Sequence, residues 1–220
     1  MMRAIARIRY SRSMKTTLKA RAKPRKAPQQ ERSRETVETI LTAAARIFVR
    51  EGYARATTNR IAEAAGISVG SLYQYFPGKD ALAVALLRRH RARILESVAR
   101  HLADVDDESL EVRVRELIRG LLEAEGLDPG LHSVLIENVL RTSARAEMQG
   151  FEDMLERVIV DRLRAARDDV KVPDLELAAF LLVRATMSIT HGAVVDRPEL
   201  AKDPRLVAEM TRMIVGYLRG

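Results

Sequence analysis

One short stretch, VGSLYQYFPGKD at positions 69 to 80, contains the residue types best suited to binding chemistry. Gly70 and Ser71 are small, so a helix that begins here can place its first N–H groups close to another surface. The dipole at a helix N-terminus favours an anion such as phosphate. Tyr73 and Lys79 can donate further hydrogen bonds to phosphate oxygens. The stretch therefore indicates contact with a polyanion, and duplex DNA is a candidate for that surface.

The residues in front of this stretch predict two short helices joined by a sharp turn. The segment TTNRIAEAAG reads as a helix capped by Thr57 or Thr58. Gly66 follows it, and glycine tolerates the left-handed conformation that such a turn requires. Ser68 then caps a further helix that runs through Phe76. Two short helices joined by AAGIS form a helix-turn-helix.

The segment TTNRIAEAAGISVGSLYQYFPGKDAL resembles the DNA-binding domain of the TetR family of bacterial transcriptional repressors. The resemblance runs from about residue 33 to about residue 92, with many positions matching in order and without gaps. The matching positions are Gly52-Tyr53, Thr57-Thr58, Ile61-Ala62, Ala65-Gly66-Ile67-Ser68, Leu72-Tyr73, Tyr75-Phe76, Lys79 and Leu82. Beyond residue 106 only the helical pattern is similar.

The resemblance implies roles position by position, with the second helix of the motif as the recognition helix. The residues expected nearest the base edges are Val69, Gly70, Ser71, Tyr73 and Gln74. Those expected at phosphates are Thr58, Ser68, Tyr75 and Lys79, with Asn59 able to reach a base or a phosphate. Val69 and Gly70 carry no polar side-chain atom, so base readout relies on methyl contacts, on Tyr73 and Gln74, and on DNA shape. Taken singly, Tyr73 could be half-buried packing, Ser68 a helix cap only, and Lys79 a solvated charge.

Charge is concentrated at the start of the 220-residue chain, whose net charge is +8. Residues 1–34 contain twelve Lys or Arg and one acidic residue, so they carry +11 and the remainder carries −3. We expect residues 1–32 to be a basic, disordered arm that attracts a polyanion without reading bases. Two alternatives remain for its beginning: an organelle transit peptide, or a true start at Met14. The chain contains no cysteine, which excludes disulfides and thiolate metal sites.

Residues 81–220 predict a second, helical domain that follows the helix-turn-helix domain of residues 33–80, and the fold class is all-α. Helices are expected near 108–125, 130–143, 146–168, 174–193 and 204–219. This domain is expected to bind a small-molecule ligand and to dimerise. The candidate ligand residues are Met148, Phe151, Phe180, Arg184, Met187 and His191. For Arg184 and His191, an intramolecular salt bridge or a dimer contact is the favoured alternative.

Two predicted helices each carry a stripe of small or apolar residues along one face. Such stripes suit a four-helix bundle formed by two copies of the chain. The candidate interface residues are Leu181, Ala185, Ser188, Gly192, Leu206, Met210, Met213, Ile214 and Tyr217. A wholly intramolecular core is the alternative. The longest apolar stretch includes Arg184 and His191, so we do not predict a membrane span.

The sequence offers no support for catalysis, a metal or a cofactor. Nucleophile, phosphate-loop and dinucleotide motifs are missing, and no pair of the four histidines has helical metal-ligand spacing. We therefore predict a cytoplasmic, nucleoid-associated homodimer that represses transcription from a palindromic DNA operator and responds to a small-molecule effector. The alternative is an architectural, nucleoid-type DNA-binding protein without an effector, and an all-helical enzyme is the remote third reading.

Overall fold

A computed structural model describes the backbone of residues 27–105, 108–126, 128–139 and 144–220. Side chains are described in these ranges except at 27–30, 136–139 and 144–148. The described residues form helices and turns and no strand, as the sequence predicts. The helices are α1 (Ala27–Glu51), α2 (Thr58–Ala64), α3 (Val69–Tyr75), α4 (Lys79–His101), α5 (Leu110–Gly126), α6 (Pro129–Val139), α7 (Ala144–Ala165), α8 (Leu175–Val195), α9 (Pro198–Ala201) and α10 (Pro204–Arg219).

Helix α1 begins earlier than the sequence predicts. Residues 27–32 belong to the predicted basic arm, yet the helix already starts at Ala27. Pro28 lies in its first turn, where the missing proline N–H has no intrahelical partner to lose and the fixed φ suits a helix. The arm up to residue 26 lies outside the described residues.

The chain divides into two compact units, the first ending at Leu82 and the second beginning at Ala83. In the first unit, α1 buries Ile40, Ala44 and Phe48 completely. Helices α2 and α3 add Ile61, Ala62 and Leu72 to the buried residues, as the periodicity predicts. The unit therefore has its own apolar core, which fixes the short helices in place.

Local signals end and start the short helices as expected. The Thr57 hydroxyl accepts the N–H of Arg60 at 3.3 Å, and the Ser68 hydroxyl accepts the N–H of Ser71 at 3.0 Å. Gly52 and Gly66 have φ values of +76° and +68°, in the left-handed region that favours glycine. The cap at Thr57 and the turn at Gly66 confirm the predicted helix-turn-helix geometry.

In the second unit, α5, α8 and α10 share one core with the segment that precedes α8. Its largest fully buried members include Ile118, Val170 and Leu218. Gly120 lies where α5 approaches α4 most closely, because a Cβ atom there would be 2.9 Å from the Cα of Val98. Any larger residue at this position would push the two helices apart.

Helix α8 is long and apolar enough to cross a membrane by length and composition alone. One side of it joins the core of the second unit through the residues Ala178, Ala179, Val183, Thr186, Thr190, Ala193 and Val194. A core helix of a globular protein has this composition as well. The short helix α9, which lies between the helices predicted near 174–193 and 204–219, begins with a proline at its first position.

Candidate nucleic-acid interface

Helix α3 presents the predicted base-reading residues in two environments. Tyr73 is 51% exposed, and Gly70 and Gln74 are also exposed. Val69 and Ser71 are half-buried. The Ser71 hydroxyl lies 2.8 Å from the Ser68 hydroxyl, so both belong to the cap of α3. The first turn of α3 is therefore small, ordered by its own cap and open to a large partner.

One hydrogen bond joins the two helices of the motif at their exposed side. The Thr58 hydroxyl lies 3.2 Å from the Tyr73 hydroxyl. A residue predicted to hold phosphate thus contacts a residue predicted to read bases. Asn59 is exposed and lies next to this pair in the chain. The pair orients the Tyr73 ring, which reduces the entropy that it would lose on binding.

Lys79 is held by the turn between α1 and α2. Its Nζ donates to the carbonyl oxygens of Tyr53 at 2.8 Å and Ala54 at 3.3 Å. The same ammonium lies 4.5 Å from the centre of the Tyr53 ring, which is a cation–π distance. A lysine ammonium has three N–H donors, and these two bonds use two of them. Tyr75 is half-buried.

The contacts of Tyr53 were not foreseen from the sequence. Its hydroxyl donates to the Asp80 carboxylate, and burial together with this carboxylate raises the pKa of Tyr53. Its ring packs on Phe48 at 5.3 Å between centroids. Tyr53 therefore ties the end of α1 to the start of α4 within the first unit.

A second unforeseen feature is a group of three arginines around Glu51, whose side chain is 10% exposed. Arg50 and Arg60 contact the Glu51 carboxylate at 2.6 and 2.9 Å. The Nε atom of Arg55 donates to the Glu51 main-chain oxygen at 2.9 Å. Two guanidinium groups share one carboxylate and a third bonds to the main-chain oxygen of the same residue, so this end of α1 has an excess of positive charge. Arginine spacing in the sequence, at every fifth residue, was the available signal.

The predicted ligand residues do not converge on one place in the second unit. Phe180 is 44% exposed, and the Arg184 guanidinium lies 5.4 Å from the centre of its ring. Arg184 pairs with Glu152 and, at 3.4 Å, with Glu156. The structure therefore contains the intramolecular salt bridge that was the favoured alternative for Arg184. Arg184 is half-buried against Glu152 and Glu156 of α7, whereas the Phe180 side chain is exposed. The role of both residues as ligand contacts stays a prediction.

The other candidate ligand residues are distributed differently. Phe151 is buried beneath the Arg91 guanidinium, 4.8 Å from its ring centre. Met187 and His191 are half-buried on α8. The side chain of Met148 lies outside the described residues. Met187 and His191 thus remain candidates on α8 for contact with a ligand.

Three of the four histidines meet in a single row, although the sequence separates them widely. His132 on α6 bonds through Nδ1 to Nε2 of His90 on α4, at 2.9 Å. Its Nε2 bonds to Nδ1 of His191 on α8, at 2.7 Å. Burial lowers the pKa of His90 to about 4, helped by Arg93, and that of His132 to about 3. Both rings are therefore neutral at pH 7.

A buried carboxyl group lies on the neighbouring helix α5. Glu125 is completely buried, and its Oε1 accepts a hydrogen bond from the Thr190 hydroxyl at 3.2 Å. Burial raises its pKa to about 7. Among the residues that the structure describes, no group of three acidic, cysteine or histidine side chains is arranged to hold a metal ion.

The predicted dimer residues separate into an exposed set and a buried set. Leu181, Met213 and Tyr217 are between 40% and 47% exposed, and Ser188 is exposed. Ala185, Gly192 and Leu206 are half-buried. Met210 and Ile214 are 3% and 5% exposed and pack in the core of their own unit, so their assignment to an interface is wrong. Met210 and Ile214 lie on the same side of α10 as the buried residues Thr211, Val215 and Leu218, whereas Met213 and Tyr217 lie toward its exposed side.

Two protein-family models match the chain. The model of bacterial regulatory proteins, tetR family, matches residues 40–86. The model of the tetracyclin repressor-like C-terminal domain matches residues 109–218. The first match contains the helix-turn-helix, and the second contains α5 through most of α10.

Individual relatives support the same assignment. The HTH-type transcriptional repressor AcnR of Corynebacterium efficiens is 33% identical over 138 residues, which are 60% of this chain and 64% of that protein. The nucleoid occlusion factor SlmA of Glaesserella parasuis is 29% identical over 110 residues, 50% of this chain and 52% of that protein. The chain thus spans between half and two thirds of these two relatives. A TetR-like transcriptional regulator from Rhodococcus sp. RHA1 has the same fold, with a TM-score of 0.63, 22% identity, and coverage of 89% and 97%.

Proposed function

Because the chain belongs to the TetR family of bacterial regulatory proteins, we propose that it represses transcription by binding a palindromic DNA operator as a homodimer. It is a DNA-binding transcriptional regulator with an N-terminal helix-turn-helix. The observation that carries the proposal is the exposed first turn of α3, which is capped by Ser68 and followed by the exposed Tyr73. A helix of this kind enters the major groove with its N-terminal residues against the bases.

Contact with DNA uses different residues for position and for sequence. Thr58, Ser68, Tyr75 and Lys79 supply hydroxyl and ammonium donors to phosphates, which fix the register on the duplex. Gly70 lets the backbone of α3 approach the bases closely. Tyr73 and Gln74 are the exposed side chains of α3 that can reach base edges. Sequence recognition therefore rests on few direct contacts and on the shape of the DNA.

Exposed apolar side chains support a dimer formed through α8 and α10. Leu177, Phe180 and Leu181 on α8, and Met213 and Tyr217 on α10, are exposed large apolar residues of the second unit. Large exposed apolar groups on two helices of one unit favour an interface between protein chains. Two such helices from each copy form a four-helix bundle, and two recognition helices then read half-sites about 34 Å apart.

A small-molecule effector is the proposed means of release. The effector favours a dimer state in which the two α3 helices no longer match successive major grooves. Buried polar side chains in the second unit support this part of the proposal, because Glu125 and His132 contribute little to an apolar core. Met187 and His191, which are half-buried on α8, are the proposed contacts for the effector.

Selection of bound duplexes from a random 30-base-pair pool tests the operator proposal. We expect a palindromic site with half-site centres about one helical turn apart, bound at least about 1000-fold more tightly than random duplex. Gln74→Ala weakens binding to this site only, whereas Thr58→Val weakens binding to every duplex. Arg219→Ala, at the end of α10 in the second unit, is the control variant and leaves binding to both kinds of duplex unchanged. Equal affinity of the wild-type protein for the selected and the random duplex contradicts the proposal.

The second candidate function is architectural, nucleoid-type DNA binding without an effector, and the similarity to a nucleoid occlusion factor favours it. The two functions differ in how far DNA affinity depends on the basic arm and on the sequence of the DNA. Deleting residues 1–26 leaves α1 complete and removes ten basic residues. A repressor then keeps its operator preference and loses affinity mainly at low salt. A protein that binds all duplexes through the arm loses its affinity for each of them equally.

A further inference from the structure

The His90–His132–His191 row connects three helices of the second unit. Each ring comes from a different helix, and the ring planes of neighbours are tilted by 50°. His90 and His132 are buried, whereas His191 is half-buried at one end of the row. Both nitrogens of His132 are used, one toward each neighbour. The row is therefore a continuous chain of N–H···N hydrogen bonds that ends at Nδ1 of His90 and at Nε2 of His191.

The number of protons restricts how this row can be arranged. A neutral imidazole carries one N–H, on either Nδ1 or Nε2. Each of the two inter-ring bonds needs one N–H and one bare nitrogen. The rings are joined head to tail, Nε2 to Nδ1 in both bonds. With one proton on each ring and both bonds kept, only two patterns exist: all three rings carry the proton on Nε2, or all three carry it on Nδ1.

The two patterns have opposite ends. In the all-Nε2 pattern, His191 presents an N–H donor at Nε2 and His90 presents a bare acceptor at Nδ1. In the all-Nδ1 pattern, His191 presents an acceptor at Nε2 and His90 presents a donor at Nδ1. A mixed pattern leaves two N–H groups, or two lone pairs, facing each other in a buried place. Such a mismatch costs a buried hydrogen bond and is therefore sparsely populated.

We propose that this row is a relay with two states. It transmits to His90 on α4 whether the group that contacts His191 on α8 donates or accepts a hydrogen bond. The proposal rests on the proposed effector-responsive function and specifies its regulation. An effector group that accepts a hydrogen bond from His191 Nε2, such as a carboxylate or carbonyl oxygen, selects the all-Nε2 pattern. A donor such as a hydroxyl or amide N–H selects the all-Nδ1 pattern. Coupling of this kind needs an element with two discrete states, and the row provides one.

The helix at the far end of the row gives the relay a route to DNA binding. His90 lies on α4, which begins at Lys79 in the first unit. Lys79 holds the turn carbonyls of Tyr53 and Ala54 there. A change in what His90 Nδ1 donates or accepts therefore acts on the same helix that carries a proposed phosphate contact.

Nitrogen NMR of the full chain labelled with ¹⁵N-histidine tests the relay without any ligand. At pH 8 we expect the three rings to report the same tautomer, or to exchange together between the two patterns. A stable mixture of Nδ1–H and Nε2–H rings in the row overturns the proposal. The fourth histidine, His101, lies outside the row and bonds to Glu116 and Glu123, so its signals serve as an internal reference.

Two variants separate the relay from a merely structural role. His191→Phe removes one end, and we expect the tautomer populations of His90 to change although the two rings do not bond to each other. His101→Gln, the control, leaves the signals of His90 unchanged. If His90 is unaffected in His191→Phe, the relay is refuted. His132→Phe breaks both bonds, and after that change a second substitution at His191 no longer alters His90.

Operator affinity tests the regulatory part. We expect His191→Phe to change the Kd for the selected operator by about fivefold or more, a size typical of coupling between distant sites. An unchanged Kd in a variant whose His90 tautomer has shifted overturns the link to DNA binding. Failure of the proposed function has a different signature, because the wild-type protein then lacks any operator preference. Circular dichroism confirms that each variant is folded before it is measured.

Discussion

Lys79 combines an internal role with a proposed external one. Two of its three N–H donors are directed at main-chain oxygens of the first unit. We expect Lys79→Ala to weaken binding to every duplex and to lower the steepness of the salt dependence by about one. Tyr75→Phe, which removes only a hydroxyl, weakens binding and keeps the salt slope. Fluorescence anisotropy at four salt concentrations measures both quantities. An unchanged slope in Lys79→Ala excludes Lys79 from the phosphate contacts.

The buried histidines make the second unit sensitive to acid. His90 and His132 have pKa values of about 4 and about 3 in the folded chain, below the ordinary 6.5. The folded state therefore binds fewer protons than the unfolded state between these values and pH 6.5. The contribution of these two histidines to stability is complete above pH 6.5 and falls as the pH decreases. For His90 alone the loss at pH 5 is about 2 kcal/mol.

Urea unfolding at pH 5.0, 6.0 and 7.5 measures this acid sensitivity. The nearby charges act on His90 in both directions, since Arg93 and Arg91 lower its pKa and Asp128 raises it. His101 has the opposite sign, because hydrogen bonds to Glu116 and Glu123 raise its pKa. The stability that His101 contributes is present below pH 6.5 and is lost as the pH rises through the pKa of His101 in the folded chain. The buried Glu125 carboxyl also has the opposite sign, because burial raises its pKa to about 7. His101→Gln therefore keeps the acid loss of the two histidines, and a protein with both His101→Gln and Glu125→Gln that is equally stable at pH 5.0 and 7.5 contradicts the prediction.

At the scale of an element, two glycines of the helix-turn-helix have different tasks. Gly66 has a φ of +68°, and an added Cβ would meet no atom within 4 Å. The cost of Gly66→Ala is therefore a backbone cost of about 1–2 kcal/mol. Gly70 lies in α3 with helical backbone, and its Cβ would lie 3.8 Å from the Ser68 hydroxyl, an ordinary contact. Gly70→Ala should stabilise the fold by about 0.5–1 kcal/mol.

DNA affinity and thermal unfolding, measured on both variants, distinguish the two tasks. We expect Gly66→Ala to lower the midpoint of unfolding and to reduce DNA binding only as far as the fold is weakened. Gly70→Ala is expected to raise the midpoint and still to weaken operator binding, because its methyl group enlarges the surface that approaches the bases. Gly70→Ala with native operator affinity shows that α3 does not approach DNA at this position.

The elements that the sequence predicted well are those that local chemistry determines. The caps at Thr57 and Ser68, and the positive φ at Gly66, each depend on residues within a few positions. The histidine row depends instead on how α4, α6 and α8 pack, because its members are 42 and 59 residues apart. No periodicity within one helix contains that information. The burial of Met210 follows likewise from which side of α10 faces the core.

At the scale of the whole molecule, the proposed dimer surface can be tested with a charge. Leu181 on α8 is 44% exposed, and Val49 on α1 is 46% exposed, so the two form a matched pair. Leu181 is a better choice than Gly192, because a side chain at Gly192 would meet the Asp196 carboxylate of its own chain at 3.7 Å. Leu181→Glu therefore disturbs little within one copy of the chain.

We expect Leu181→Glu to separate the dimer and Val49→Glu to leave it intact. Burying a carboxylate without a partner costs several kcal/mol, and a symmetric interface buries the charge of both copies. Binding to a palindrome falls with the dimer, since one recognition helix reaches one half-site and the other lies about 34 Å away. Sedimentation at micromolar concentration and anisotropy on the selected operator measure the two effects. If Leu181→Glu still sediments as a dimer and binds the palindrome with native affinity, the copies meet elsewhere than at α8.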